Sequence, residues 1–174
     1  MTKNKRLKYT YGIVYCPELR KVLLLNRQKS PWMGRWNAVG GKLDIDESPR
    51  ECIVRETYEE TGLSLSQYVA RGVTRWNVDD IDFNGMYLFT AQVSSETVRS
   101  YKTPVVFCHE GILDWKDIDW ILDPQNTGIV ASLQKLLKLI LSGDKDDLYL
   151  LTYTSNDLTA FEYIPKGNVE YPVD

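Results

Sequence analysis

Alternation of apolar and polar positions predicts β-strands over much of the chain. Residues 8–16 and 21–27 form two such segments around Pro17 and Glu18, which is typical of a hairpin. Further strands are expected near 69–76, 84–94, 104–108 and 111–115. The connection between the first two of these is expected to be long and polar, with the sequence WNVDDIDFNG.

Helical periodicity predicts two helices, and the second has the clearer pattern. Its apolar side is formed by Ile129, Val130, Leu133, Leu136, Leu137, Ile140 and Leu141, and Gly143 ends it. Because no chemically reactive side chain lies on that stripe, the helix is expected to pack on a core. An aromatic turn at Trp120 is expected before it. The final segment alternates around residues 155–157 and predicts a further hairpin.

The first helix is predicted over about 49–61 from its two ends. Ser48 has the features of an N-cap, with Pro49 in the first turn and Glu51 placed to complete a capping box. Gly62 is suited to the left-handed residue that ends a helix.

Three carboxylates share one surface of this helix. Glu56, Glu59 and Glu60 stand at i, i+3 and i+4, and like charges four residues apart cost an isolated helix about 0.2–0.5 kcal/mol. A hard divalent cation such as Mg²⁺ prefers oxygen ligands and reverses that penalty. The cluster therefore indicates metal-dependent phosphate chemistry.

Composition narrows the classes of function. The 174 residues suit a single domain, 1–174, with 43% hydrophobic and 26% charged residues and no internal repeat. A net charge of −3 favours neither a nucleic-acid polymer nor a membrane as partner. Three scattered cysteines and the absence of a signal-like or membrane-spanning segment predict a cytoplasmic protein with reduced thiols. His109 is the only histidine, which argues against zinc hydrolases and histidine-based triads.

The segment from residue 40 to residue 63 resembles the signature of the Nudix hydrolases. The family positions are filled by Gly41, Glu47, Arg55, Glu56, Glu59, Glu60, Gly62 and Leu63. Thr57 departs from the pattern, since the family prefers a bulky aliphatic residue there; we expect it to face the sheet. The resemblance implies an α/β/α sandwich with a mixed β-sheet, covering about 8–142. A C-terminal hairpin at about 146–165 is expected as an addition to it.

The resemblance also implies hydrolysis of a nucleoside diphosphate linked to another group, with Mg²⁺ as cofactor and Mn²⁺ as a substitute. It implies that Arg55 orients the acids, pairing with Glu47. The carboxylate that deprotonates the water differs across the family; Glu56 is the candidate here, another carboxylate is the alternative, and Glu59 is also in the catalytic set. An acid from a later loop completes the metal site in many members, and Glu110 is the candidate here, although a solvated loop residue fits its sequence as well. The metal ligands implied are Gly40 (by its carbonyl), Glu56, Glu59, Glu60 and Glu110.

The residues before the glycine turn are similar to those of the MutT-type 8-oxo-dGTP diphosphatases. An asparagine offers a donor and an acceptor to a purine edge, and an aromatic ring stacks on a base. Packing beneath the loop is the alternative for Trp36, a surface position for Arg27, and capping of the second helix for Asp123. The substrate-binding residues expected on this basis are Arg27, Trp36, Asn37, Gly41, Lys42 and Asp123.

Three alternatives to 8-oxo-dGTP hydrolysis stay open at the level of sequence. One is a general Nudix pyrophosphatase acting on dinucleoside polyphosphates, ADP-ribose or capped RNA. Another is a nucleotide sensor that no longer cleaves its ligand, although the three acids it would lack are present. The third is an interaction module. A homodimer is also left open.

Overall fold

The computed structural model describes residues 6–173, apart from the side chain of residue 83. The strands are β1 (Tyr9–Cys16), β2 (Lys21–Arg27), β3 (Trp36–Asn37), β4 (Tyr68–Val78), β5 (Ile81–Gln92), β6 (Gly111–Asp117), β7 (Leu148–Thr154) and β8 (Asp157–Ile164). The helices are α1 (Pro49–Thr61), α2 (Ser95–Ser100), α3 (Ile118–Leu122) and α4 (Ala131–Ile140).

The strands form one mixed sheet in the order β3-β2-β1-β5-β4-β7-β8, with β6 paired to β2. Strands β1 and β5 are parallel, as are β4 and β7, and the remaining pairs are antiparallel. The α/β fold with a mixed sheet is therefore confirmed.

Helices cover both faces of the sheet. On one face α4 buries its apolar stripe against side chains from β1, β2, β5 and β7, among them Ile13, Leu24 and Leu88. On the other face α1 packs Cys52 and Ile53 against β4 and β5. Helix α1 approaches β1 closely, since a Cβ atom on Gly12 would lie 2.7 Å from the Ile53 side chain. The sheet therefore lies between α4 and α1.

The surroundings of Thr57 account for its departure from the Nudix pattern. Its side chain faces the sheet, as expected, and is fully buried. The hydroxyl is hydrogen-bonded to the Tyr68 hydroxyl on β4. A polar side chain is tolerated at this buried position because it has a partner.

The prediction of a strand at 104–108 is wrong. In that segment only Val105 forms a bridge, to Leu113. The chain instead crosses the C-terminal end of α1, where the Phe107 ring lies against Gly62 and the Tyr101 hydroxyl donates to the Thr61 carbonyl. Apart from the bridge at Val105, the segment therefore follows α1 and does not form a strand.

The prediction of a long polar connection at residues 76–85 is also wrong. Strands β4 and β5 run on as a continuous hairpin whose turn is Asp79–Asp80, with φ of 50° and 65°. Positive φ at both central residues matches the twist of a tight hairpin, and aspartate tolerates it. The expected aromatic turn at Trp120 is the short helix α3, and the sequence did not predict α2.

The C-terminal hairpin is confirmed, and it extends the main sheet. Strand β7 pairs in parallel with β4, so that Val73 lies opposite Leu148. One face of β7 places Tyr149, Leu151 and Tyr153 in the core formed with α4. No helix among the described residues is long and apolar enough to cross a membrane.

Candidate active site

A gap between β1 and β2 forms the floor of the candidate site. The two strands pair only at Tyr15–Val22 and Cys16–Lys21 and then separate. Residues 36–42 fill the gap, pairing first with β2 and then with β1 through the bonds Gly12 N to Val39 O and Thr10 N to Gly41 O, both 2.8 Å. Within residues 6–173 nothing donates a hydrogen bond to the carbonyl of Gly40, which lies between those two.

Two glycines allow the carboxyl groups of α1 to reach this backbone. The Gly40 N–H donates to Glu60 Oε2 at 3.0 Å, and Gly40 has a φ of 143°, which favours glycine. A Cβ atom on Gly41 would overlap the carboxyl group of Glu56. Glu56 and Glu60 are therefore packed directly against the glycine turn.

The ends of α1 are formed as the sequence predicts. Ser48 Oγ accepts from Glu51 N at 3.2 Å, and Glu51 Oε2 accepts from Ser48 N at 2.8 Å, which completes the capping box. Gly62 has a φ of 74° and donates to the Tyr58 carbonyl at 2.8 Å. These caps set where α1 begins and ends, and so fix its carboxylates relative to the turn.

Arg55 connects the acids of the signature. Its Nε and Nη2 donate to the two oxygens of Glu47 at 2.7 and 2.8 Å, which is a bidentate pair. Its Nη1 donates to Glu56 Oε1 at 2.9 Å and to Glu59 Oε2 at 3.2 Å, and Nη2 also reaches the Lys42 carbonyl at 3.2 Å. The Arg55 hydrogen bonds lower the pKa of Glu47 to about 2.

Arg55 lowers the pKa of Glu47, whereas burial raises the pKa values of Glu56 and Glu60, the two acids beside the glycines. Burial raises the pKa of Glu60 to about 8, and the nearby charges of Glu56 and Glu110 act in the same direction. Burial also raises the pKa of Glu56, against the attraction of Arg55. Both carboxylates are destabilised as anions here, so a proton or a cation is needed to offset their charge.

The donor set fits a hard divalent cation such as Mg²⁺. The available donors are carboxylate oxygens with unfavourable charge and the free Gly40 carbonyl, which are the ligands this ion prefers. In the described part of the chain, however, no three His, Cys, Asp or Glu side chains converge closely enough to form a metal-binding group. Arg55 contacts one oxygen of each of the Glu56 and Glu59 carboxylates, Oε1 and Oε2 respectively, and so leaves their second oxygens for a cation.

Glu110 and Arg27 lie on the same side as Glu60. Arg27 pairs with Gly111 across β2 and β6, and the Glu110 carbonyl accepts from Gln28 N at 2.9 Å. Both side chains are near enough to influence the pKa of Glu60, Glu110 raising it and Arg27 lowering it. The Glu110 carboxylate also contacts Lys29 Nζ at 3.6 Å and His109 Nε2 at 3.1 Å.

The Asn37 side chain offers a ligand its amide N–H donors, because its oxygen is already hydrogen-bonded. Its Oδ1 accepts from the Tyr11 hydroxyl at 2.6 Å and from Ala38 N at 3.0 Å. Because the Ala38 N–H is a donor, the atom it contacts is the amide oxygen, which fixes the orientation of the side chain. Within residues 6–173 no group accepts a hydrogen bond from the amide NH₂, so its two donors are what Asn37 offers to a ligand in this structure, and its role in substrate binding stays a prediction.

The aromatic residues and Asp123 lie around the end of β6. Trp36 is half-buried, packs on the α4 side of the core and has the Lys116 ammonium over its ring. Asp123 is exposed and accepts from Gln125 N at 2.9 Å. It does not cap the second long helix, because α4 begins only at Ala131. Sequence analysis missed Lys116, since only strand pairing brings it to Trp36.

Comparison with known proteins identifies the class of this site. Residues 6–126 match the NUDIX domain family. The chain therefore belongs to the Nudix family and is a pyrophosphohydrolase.

Individual relatives extend over most of the chain. It is 31% identical over 149 residues to the uncharacterized Nudix hydrolase YvcI of Bacillus subtilis, covering 84% of this chain and 88% of that protein. It is 27% identical over 128 residues to the putative 8-oxo-dGTP diphosphatase 2 of Mycobacterium tuberculosis, covering 67% of this chain and 81% of that one. The crystal structure of the MutT protein from Bacillus halodurans superposes with a TM-score of 0.67 at 25% identity, covering 90% and 97% of the two chains.

Proposed function

We propose that this enzyme hydrolyses 8-oxo-dGTP to 8-oxo-dGMP and pyrophosphate in a reaction that depends on Mg²⁺. The observation that carries the proposal is the contact of Glu60 with the Gly40 N–H, which puts a buried carboxylate of high pKa against a glycine turn. Such a group favours a cation beside it, and a cation is what a triphosphate needs in order to approach acids. The choice of substrate rests on Trp36 and Asn37.

The metal ion would be held by the carboxylates of the signature helix, the turn and the later loop. When bound, Mg²⁺ or Mn²⁺ supplies charge screening for the phosphates and polarises phosphorus. The ligands we propose are Glu56, Glu59, Glu60, Glu110 and the carbonyl of Gly40.

The protein's own side chains orient and deprotonate the attacking water. Glu56 accepts a proton from the water, whose oxygen forms the new bond to phosphorus while the phosphoanhydride bond to the leaving pyrophosphate breaks. Burial raises the pKa of Glu56 towards neutrality, which suits a general base. Arg55 positions Glu56 and Glu59 by its hydrogen bonds of 2.9 and 3.2 Å. Arg27, Gly41 and Lys42 contact the phosphates.

An oxidised purine fits the remaining groups. The donor-only Asn37 matches a carbonyl oxygen on the base, and Trp36 offers an aromatic face. Asp123, exposed after α3, provides an acceptor for a base N–H. The Mycobacterium tuberculosis relative, named as a putative 8-oxo-dGTP diphosphatase, favours the same substrate.

A substrate panel tests the proposal. Native protein is assayed with 8-oxo-dGTP, dGTP, ADP-ribose, a dinucleoside polyphosphate and capped RNA, with and without Mg²⁺. Among these compounds 8-oxo-dGTP is expected to have the highest kcat/KM. Turnover is expected only when Mg²⁺ is present. Faster cleavage of another compound would assign the enzyme to a different pyrophosphatase class, and no turnover of any compound would favour the nucleotide sensor.

Matched variants test the metal assignment in the same panel. Glu59→Gln and Glu60→Gln are expected to lose activity, whereas Glu96→Gln, on the exposed face of α2, is the control and is expected to behave as the native enzyme. Normal turnover by the first two variants would contradict the metal ligands proposed here.

We also infer that the enzyme works in the cytoplasm on small nucleotides. The three cysteines, Cys16, Cys52 and Cys108, are free, which suits a reducing compartment. Homodimerisation stays a prediction, and analytical ultracentrifugation of the native protein tests it.

A further inference from the structure

Lys116 lies in an aromatic setting at the end of β6. Its ammonium is 4.2 Å from the centre of the Trp36 ring and 5.2 Å from that of Trp120. It also contacts Asp114 Oδ2 at 2.8 Å, and 22% of the side chain remains exposed. Two rings and one carboxylate therefore fix the position of a cation that is still accessible to a ligand.

The strand pairing places this cation beside the glycine turn. Asp114 and Lys116 alternate onto one face of β6, where they lie opposite Leu24 and Val22 of β2. Trp36 pairs with Asn26 on the other edge of β2 and precedes Gly40 by four residues. An extended chain spans roughly 13 Å over that separation. If the phosphates of a nucleotide lie at the turn and its base lies along this segment, the base is near Lys116.

The chemistry of an ammonium is selective among bases. Lysine has three N–H donors and no acceptor, and here one donor is used by Asp114. The free NH₂ group of Asn37, next to Trp36 in the chain, is likewise a donor. A base edge with a carbonyl oxygen satisfies such groups, whereas an exocyclic amine placed there leaves donors facing each other and unpaired.

We propose that Lys116 is a specificity-determining residue that donates a hydrogen bond to a carbonyl oxygen of the purine base. It makes the enzyme prefer oxo-purine nucleotides, such as 8-oxo-dGTP and dGTP, over the amino-purine dATP. This inference rests on the proposed function in one respect, namely that the ligand is a purine nucleotide bound with its phosphates at the glycine turn.

The test compares Lys116→Met with Lys21→Met. Methionine keeps most of the length of the lysine side chain and removes its donors. Lys21 is a matched control because its ammonium pairs with Asp117 at 2.8 Å across the same two strands, without aromatic neighbours in the described contacts. Loss of a charged hydrogen bond in Lys116→Met is expected to lower kcat/KM for 8-oxo-dGTP roughly 10–100-fold, mainly through KM. The kcat/KM for dATP is expected to stay unchanged or to rise, because the donors that would face its amino group unpaired are removed. Lys21→Met is expected to match the native enzyme on both.

A binding measurement separates failure of this inference from failure of the proposed function. Calorimetric titration with 8-oxo-dGMP and dAMP requires no turnover and no metal. If Lys116 reads the base, Lys116→Met loses affinity for 8-oxo-dGMP alone, even where the native enzyme cleaves some other purine nucleotide. Equal losses for both ligands, or no loss for either, would overturn the inference, because a purely structural role in holding the tryptophans would not distinguish the two bases.

Discussion

At the scale of single residues, the site depends on two backbone positions that have no side chain. Gly40 brings its N–H to Glu60, and Gly41 leaves the space that the Glu56 carboxyl occupies. Burial of these two acids raises their pKa values, although the hydrogen bond from the Gly40 N–H acts in the opposite direction on Glu60. The net effect disfavours the anions and makes the site receptive to a cation.

Gly41→Ala is expected to displace the carboxyl of Glu56, because the new methyl group would overlap it. The expected loss in kcat is roughly 100-fold or more, the usual contribution of a general base, with the circular dichroism spectrum unchanged. Gly128→Ala is the control, since its only close neighbour would be Asn126 Oδ1 at 3.2 Å. An active Gly41→Ala enzyme would show that the position of Glu56 is unimportant.

Glu60 is expected to make the metal-free protein sensitive to alkaline pH. Its pKa is raised from 4.5 to about 8, so the folded state binds this proton more tightly than the unfolded state does. The stabilising effect is complete below about pH 4.5 and is lost as the pH rises through 8.

In EDTA, Glu60→Gln should therefore melt at least about 4 °C above the native protein at pH 8, and close to it at pH 5. Calorimetry at the two pH values measures this. A difference in melting temperature that stays constant with pH would contradict the raised pKa.

At the scale of elements, the hairpin of β7 and β8 belongs to the same folding unit as the sheet. Tyr149 and Leu151 lie in the core that α4 covers, and β7 completes the hydrogen bonding of β4. The hairpin thus supports the face of the sheet opposite α1.

Leu151→Ala is expected to lower the free energy of unfolding by about 2–5 kcal/mol, because it removes a side chain that is 2% exposed. The probe is tryptophan fluorescence in urea, since all five tryptophans precede the hairpin in the chain. Leu150→Ala, on the half-exposed opposite face of β7, is the control and should cost less. If the tryptophan transition does not move in Leu151→Ala, the hairpin unfolds separately from the rest.

At the scale of the whole molecule, local signals were sufficient for α1 and for most of the sheet. The caps at Ser48 and Gly62 and the i, i+3, i+4 spacing of the glutamates are contained within one helix, so the sequence alone predicts them. The errors at 104–108 and 76–85 have another origin. There, contacts of Phe107 and Tyr101 with α1, and the tight turn at Asp79–Asp80, outweighed the local pattern of polarity.

The residues of the candidate site also fall into two groups, those that the sequence alone predicts and those that tertiary contacts place. Three of its acids come from one helix and were predictable, namely Glu56, Glu59 and Glu60. The orientation of Asn37, in contrast, depends on Tyr11, a residue 26 positions away. Lys116 contacts Trp36 because β2 pairs with the strand of Trp36 on one edge and with the strand of Lys116 on the other. The groups proposed to bind the base are therefore placed by tertiary contacts that periodicity and motif spacing do not encode.

Product analysis of 8-oxo-dGTP hydrolysis during a Mg²⁺ titration tests the proposed reaction directly. Equal amounts of 8-oxo-dGMP and pyrophosphate are expected, with a rate that rises from zero as Mg²⁺ is added and stays near zero for Glu60→Gln. Release of inorganic phosphate with 8-oxo-dGDP, or hydrolysis that continues unchanged in EDTA, would contradict the account.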